Sequence, residues 1–224
     1  MEFHPSKCFV LRVTRKKSVQ RYPYNLQGHV LSDTKSTKYL GVTISDQITW
    51  NTHIDGVTKK ANKQLGFIKR NLRIKNQDLK SKVYKSFVRP TLEYCSTVWD
   101  PIHQNQIYQL EMVQRRAARW VVSDYGRLSS VTRILENLKW QELALRRKQA
   151  RLLLLYKIVH NLVMINRSHY FKMQRDNLHI QNIYATQQYH QASFFPRTIK
   201  EWNSLPDSVL DLSLIHISEP TRPY

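Results

Sequence analysis

Cysteine and glycine are scarce in this 224-residue chain, and no two acidic residues stand side by side. The two cysteines, Cys8 and Cys95, exclude a disulfide scaffold and an all-cysteine zinc site. Five glycines leave little material for phosphate-cradling loops, and neither G-x-x-x-x-G-K-[ST] nor G-x-G-x-x-G occurs. D-x-D, H-E-x-x-H, G-x-S-x-G and C-x-x-C are absent as well. The nine histidines are scattered, and His179 and His190 are too far apart to share one helical metal face. Asp46 and Asp55 flank Trp50 and His53, where helix capping and loop solvation compete with a metal role. Nothing in this inventory would hold the two Mg²⁺ ions that strand extension requires. No cofactor is therefore expected on this chain. Long apolar runs are missing too. The longest, 152–165, contains Lys157 and His160 and is too short to span a bilayer. Met1-Glu2-Phe3-His4 lacks the basic start and apolar stretch of a signal peptide. These features point to an intracellular place, nucleus or cytoplasm, and to no membrane partner. The group Arg15-Lys16-Lys17 reads as a solvated strand end or as a nuclear signal.

What the chain has in excess is positive charge: 36 Lys and Arg against 16 Asp and Glu, a net charge of +20. A polyanionic partner is the physical inference, and nucleic acid is the commonest polyanion. Apolar residues at 41%, with 12 Tyr, 7 Phe and 5 Trp, are enough for a core. The pattern predicts an α+β chain that is mostly α. Phe9, Leu11 and Val13 alternate, as do Leu40, Val42 and Ile44, so two or three antiparallel strands are expected within 7–45. Ile54, Val57, Ala61, Leu65, Ile68 and Leu72 form the stripe of a first helix. A second is expected from an Asp78 cap through Leu79, Val83, Phe87 and Val88, bent or broken at Pro90. Leu110, Val113, Ala117 and Val121 mark a third, Ser129 or Ser130 caps a fourth, and a fifth runs from about 141 to 162. Residues 166–211 read as polar and irregular, with one compact signal from Phe195-Pro196-Arg197 through Trp202-Asn203-Ser204-Leu205-Pro206.

Half of the net charge falls within 57–90, which holds eleven basic residues and one acid, Asp78. Lys59, Lys60, Lys63, Lys69 and Arg70 lie away from the first helix's apolar stripe, followed by Arg73 and Lys75. A one-sign face of this kind suits phosphate contact; a solvated surface and an acidic membrane are the other readings. The aromatics Tyr84, Phe87, Tyr94, Trp99 and Trp120 suit base stacking or core packing, and their helical spacing favours the core.

Several ordered blocks resemble one family. Lys38-Tyr39-Leu40-Gly41-Val42-Thr43-Ile44-Ser45 and Ile48-Thr49-Trp50-Asn51 resemble the stretch after the catalytic palm in reverse transcriptases of non-LTR retrotransposons, in particular jockey-like LINE elements. The resemblance continues through Tyr84 to Cys95, Val98-Trp99-Asp100-Pro101, Val113 to Trp120, Leu138-Lys139-Trp140, Arg197-Thr198-Ile199 and Trp202-Asn203. It implies a C-terminal fragment of an RNA-directed DNA polymerase. A palm remnant at 1–51 would carry the primer-grip strands. A helical thumb at 52–101 and a post-thumb helical domain at 102–165 would follow, then the irregular segment 166–211. Residues 212–224 look like a translated sequencing adapter. By the same resemblance Lys38, Tyr39, Leu40 and Gly41 sit beside the primer end, with Gly41 admitting a close backbone. The thumb would hold an RNA–DNA duplex, and Lys7 matches a palm lysine. The family's paired aspartates have no counterpart here, so this chain alone is expected to be non-catalytic. Its partners would be RNA, the duplex and the upstream palm and fingers, with Mg²⁺ only in the full-length polymerase. A host-retained RNA-binding or scaffold protein and a functionless pseudogene product are the alternative readings.

Overall fold

The computed structural model describes residues 4–14, 16 and 18–210. The reading of 212–224 as an adapter lies outside these residues, as do Arg15 and Lys17 of the basic group. The fold is mostly helical, with small sheets confined to the N-terminal part. It divides into two compact units, one from Met1–Cys95 and Pro101–Leu143, the other from Ser96–Asp100 and Ala144–Tyr224.

In the first unit, β1 (Phe9–Leu11) pairs with β4 (Ser32–Thr34), and between them β2 (Asn25–Leu26) and β3 (His29–Val30) form a hairpin. The β1–β4 pair is parallel, not antiparallel as alternation alone suggested, because the intervening hairpin brings the chain back in its original direction. Arg12 joins this region together, 3.1 Å from the Asp33 carboxylate and 2.8 Å from the Tyr22 carbonyl. β5 (Ser36–Tyr39) and β6 (Val42–Ser45) form an antiparallel hairpin in which Tyr39 faces Val42. That register corrects the expected row Leu40, Val42, Ile44: Leu40 is in the turn, and Val42 and Ser45 are the buried ends of β6. Ser45 is buried because its Oγ accepts the Thr49 N–H at 2.8 Å and closes the corner into the next helix.

Helix α1 (Asn51–Asn71) buries Ile54, Ala61, Leu65 and Ile68, as their spacing predicts. Thr58 takes the inward place next to the half-buried Val57, since its Oγ1 donates to the Ile54 carbonyl at 2.8 Å and so satisfies itself inside the core. Leu72 lies past the helix and is exposed. The next helix, α2 (Gln77–Val83), is capped by Asn76, whose side chain accepts the Leu79 N–H at 2.9 Å. Asp78 is thus in the first turn, not at the cap, where its charge complements the helix dipole. The chain does not break at Pro90. A wide π turn over Tyr84–Val88 leads into α3 (Arg89–Glu93), and the wider turn accommodates a ring that would otherwise meet a carbonyl one turn back. The buried row is accordingly Lys80, Tyr84, Val88 and Leu92, while Leu79 and Phe87 are exposed.

Helices α5 (Gln104–Val122) and α6 (Val131–Asn137) pack in the same unit, and Ser130 caps α6. Tyr84 stacks on Trp140 with centroids 4.5 Å apart and donates to Gln114 Oε1 at 3.0 Å. Gln114 donates in turn to the Gln141 carbonyl at 2.8 Å, and Trp140 Nε1 donates to Ser81 Oγ at 3.2 Å. Three segments far apart in sequence meet here with their buried polar atoms satisfied.

The second unit is built from α4 (Ser96–Trp99), most of α7 (Leu143–Val159), α8 (Gln188–Gln191), α9 (Phe194–Trp202) and α10 (Asp207–Leu210). Its core joins Leu155, Ile158, Phe171, Ile180, Ile199 and Trp202. Residues 166–210 therefore hold more structure than their polar composition announces. Asn203 supplies part of the reason: it accepts the Ile180 N–H at 3.0 Å and donates to the Ile180 carbonyl at 2.7 Å, and so pairs a non-helical strand of chain to α9. Asp100 is the polar centre of the unit. Arg147 Nε is 2.6 Å from its Oδ1, Arg151 pairs with Oδ2, and Arg197 Nη2 lies 3.3 Å from it. Glu201 takes Arg151 Nη2 on both oxygens, at 2.8 and 2.7 Å. Replacing Asp100 by Asn should remove the charge that Arg147, Arg151 and Arg197 share and leave Glu201 to Arg151 and Arg197. Urea unfolding should show a loss of about 3–5 kcal/mol, the cost of breaking a buried ion pair; a loss below about 1 kcal/mol would mean that water, not Asp100, satisfies the arginines.

Candidate nucleic-acid interface

The hairpin β5–β6 turns on two residues, Leu40 at φ +45° and Gly41 at φ +86°. Two positive φ angles are the requirement of a type I′ turn, which matches the twist of the strands it joins. Glycine meets it freely. Leucine does so at a cost of about 1–2 kcal/mol, and the Leu40 side chain is 73% exposed, so no burial offsets that cost. The turn is fixed from one side by Tyr94, at the end of α3, whose hydroxyl donates to the Leu40 carbonyl at 3.0 Å. A Cβ on Gly41 would sit 3.0 Å from the Tyr94 ring. Within this chain the close neighbour of Gly41 is thus an aromatic ring and not a second backbone.

From the other side the hairpin is fixed by His53, which is buried in the first turn of α1. The Thr43 N–H donates to His53 Nδ1 at 3.1 Å. This bond needs the imidazole neutral with its proton on Nε2. Burial, and then the charge of Lys38, hold the His53 pKa below its ordinary value of 6.5. Lys38 itself is exposed on β5, and Tyr39 is 63% exposed at the hairpin end.

Helix α1 carries the hairpin on one side and the basic residues on the other. Lys59, Lys63 and Arg70 are four and seven residues apart, share one side of the helix and are all exposed, as is Lys60. Arg70 folds back over Gly66, where an added Cβ would meet its Nη1 at 3.2 Å. No acidic residue occurs in sequence between Asp55 and Asp78. Lys69 is separated from this set: it is half-buried and its Nζ lies 3.5 Å from the Arg116 carbonyl of α5. Burial, and then Arg116, lower its pKa. Arg73 and Lys75 are exposed in the segment between α1 and α2. Lys80, a member of the same basic run, faces inward: its Nζ donates to the Trp120 carbonyl at 3.2 Å and to Ser123 Oγ at 2.7 Å. Lys7 is exposed at the end of a short turn, Pro5–Lys7.

Sequence reasoning singled out the hairpin tip and the cations but not the bonds by which His53 and Tyr94 fix the tip, nor the inward turn of Lys80. No periodicity marks such residues, because each acts through one directional bond. The aromatics divide: Tyr84, Trp99 and Trp120 are core, whereas Phe87 and Tyr94 are 64% and 56% exposed. Among the described residues, no three of His, Cys, Asp and Glu come together as a metal site. Among the same residues, no helix is long and apolar enough to cross a membrane.

Comparison with known proteins adds a distant, partial similarity to a transposon reverse transcriptase. The relative is a probable RNA-directed DNA polymerase from transposon BS of Drosophila melanogaster, 25% identical over 115 residues. The match takes in 50% of this chain and 12% of that protein, so the chain spans a small part of the relative's length. No family model matches the chain, and no solved structure matches it.

The imidazole of His53 gives a pH signature. Its folded-state pKa is lowered, so the unfolded chain binds the proton more readily than the folded one. Its contribution to stability is whole above pH of about 6.5 and declines as the pH falls through that value toward the lowered one. Urea unfolding between pH 7.5 and 5 should show this decline, and His53→Asn, whose Oδ1 still accepts from Thr43, should flatten it. An equally steep decline in the Asn variant would place the titration elsewhere.

Proposed function

We propose that this chain grips an RNA–DNA duplex as the primer-grip and thumb portion of a longer transposon-type reverse transcriptase. The observation that carries the reading is α1 itself. Its outward side presents Lys59, Lys63 and Arg70 with no acidic residue among them, and its first turn holds the hairpin that ends in Tyr39, Leu40 and Gly41. A duplex whose phosphates lie along α1 would meet the hairpin tip at one place along its length. Lysine suits such a task, since it neutralises phosphate without reading bases. The distant similarity to a transposon polymerase supports the same reading. In this reading Lys60, Arg73 and Lys75 extend the phosphate contacts, and Lys69 contributes through its bond to α5. Paired aspartates and Mg²⁺ belong to a polymerase centre formed by other residues, and the chain by itself extends no primer.

Strain at Leu40 supports a role for the tip. A costly φ on an exposed apolar side chain is retained where something outside the fold uses it. Leu40→Asn should relieve the turn, raise stability by about 1 kcal/mol, and weaken binding to a recessed primer end several-fold in a fluorescence-anisotropy titration. A stabilised variant that binds as tightly as the native chain would remove the tip from the interface.

The cations have their own test. Changing Lys59, Lys63 and Arg70 to Gln should weaken binding to RNA–DNA duplexes of any sequence alike. The slope of log affinity against log salt should fall by about 0.9 for each phosphate that is no longer neutralised, the value for a B-form duplex. Lower affinity with an unchanged slope would show that these residues act through the fold instead.

A further inference from the structure

The loop that follows α5 is exposed yet tightly framed. α5 ends at Ser123, with φ +57°, and Arg119 in its last turn reaches across the loop. Arg119 Nη1 donates to the Gly126 carbonyl at 3.1 Å and lies 3.5 Å from the Asp124 carbonyl, and Nη2 donates to the Ser129 carbonyl at 3.2 Å. Asp124 Oδ1 accepts the Gly126 N–H at 2.9 Å and the Ser129 hydroxyl at 2.7 Å, and these bonds hold its pKa below the usual carboxylate range. A Cβ on Gly126 would stand 2.7 Å from Ser129 Oγ, so the ring closes only over glycine.

This frame presents three types of side chain to solvent. Tyr125 is 62% exposed, Arg127 is exposed and Leu128 is fully exposed. None of the three takes part in the bonds that close the loop. The one acid in the segment, Asp124, is turned into the frame, so the tip shows a cation, an aromatic face and an apolar side chain, and no anion. Lone exposed leucines are ordinary; here one is held out beside a tyrosine and an arginine on a hydrogen-bonded base.

Its position names the partner. Lys69 reaches the Arg116 carbonyl and Lys80 reaches Trp120 and Ser123, so the last turns of α5 lie beside the end of α1 and the start of α2. The segment between those two helices carries Arg73 and Lys75, both exposed. The loop thus follows a helix end that adjoins the C-terminal end of α1 and the exposed cations after it. We propose that Tyr125, Arg127 and Leu128 form a stacking platform for an unpaired nucleotide where the duplex held by α1 ends. Tyr125 offers a π-face, Arg127 a cation for the adjoining phosphate, and Leu128 an apolar edge against the base. The proposal rests on the duplex-gripping reading of α1 and extends it to the single strand.

The test uses the full chain and two RNA–DNA duplexes of one sequence, one blunt and one with a short unpaired template overhang carrying 2-aminopurine next to the junction. The overhang should raise affinity about tenfold, in the range that one stacked base supplies, and should quench the fluorophore. Tyr125→Ala should abolish both effects, Tyr125→Trp should keep them, and neither should alter binding to the blunt duplex. Melting temperature should be unchanged in both variants, since Tyr125 makes none of the frame's bonds. An overhang that adds no affinity, or a Tyr125→Ala loss that is equal on both duplexes, overturns the platform and leaves the grip of α1 standing. Absence of binding to either duplex overturns both.

Discussion

Asp100 faces three guanidiniums in a buried place, and the shortage of carboxylates seen there governs the whole chain. With 36 basic and 16 acidic residues, most cations cannot be paired with an acid. Outside that cluster, several cations that the fold buries or half-buries are held by carbonyl groups instead. Lys80 donates to the Trp120 carbonyl in the last turn of α5, and Arg167 donates to the carbonyl of Val159, the last residue of α7, at 2.7 Å. Arg119 closes on three loop carbonyls, and Lys69 lies against the carbonyl of Arg116. Two of these acceptors stand at helix C-termini, where the last carbonyls have no partner in the helix and the dipole is negative. Carbonyl groups that would otherwise face water thus replace the missing acids.

This sorting has a functional consequence. Cations turned inward lose their freedom to meet a ligand but fix helix ends; cations turned outward keep their charge and repel one another. On α1 the two sets adjoin, with Lys69 against α5 and Lys59, Lys63 and Arg70 on the open side. A one-sign row of this kind destabilises a compact fold slightly and is relieved by a polyanion. The same logic separates the basic run of 57–90 into structural and available members, which net charge alone does not do.

The elements that were legible in the sequence are those whose signal repeats. Ile54, Ala61, Leu65 and Ile68 of α1, the inward positions of α5 and the Ser130 cap of α6 are found where the spacing puts them. The misread positions are those decided by a single bond or by a change of phase. Alternation placed Leu40 on a strand face, but the turn demanded two positive φ angles and took Leu40 and Gly41 for it. The apolar pattern of 78–88 pointed to Leu79 and Phe87, whereas Lys80 faces inward beside the expected Tyr84 because its ammonium finds polar acceptors across the core. The polar segment 166–210 gave one compact signal, around α9, and no more; the rest of its order comes from Asn203 and Trp202, whose side chains bond to the backbone of Ile180 and Leu178. Of the candidate site, the cations and the hairpin tip were visible as residue types, and the bonds by which His53 and Tyr94 fix the tip were not.

The two tips are built alike, and that likeness is the strongest structural support for a use of both. Beneath Leu40 stand Tyr94 and His53, each spending a directional bond on the hairpin; beneath Tyr125, Arg127 and Leu128 stand Arg119 and Asp124. In both, a glycine is required by a close neighbour, Gly41 by the Tyr94 ring and Gly126 by the Ser129 hydroxyl. A loop that served only to connect two helices would need none of this, because closing a short flexible loop is inexpensive and its residues gain nothing from being ordered. Ordering such a tip in advance removes an entropy cost from whatever binds it. The wide turn over Tyr84–Val88 belongs to the same scheme: it carries the chain past Pro90 with Leu92 inward and delivers Tyr94 to the hairpin. The irregularities of the fold, which carry no periodic signal, thus converge on the two exposed tips.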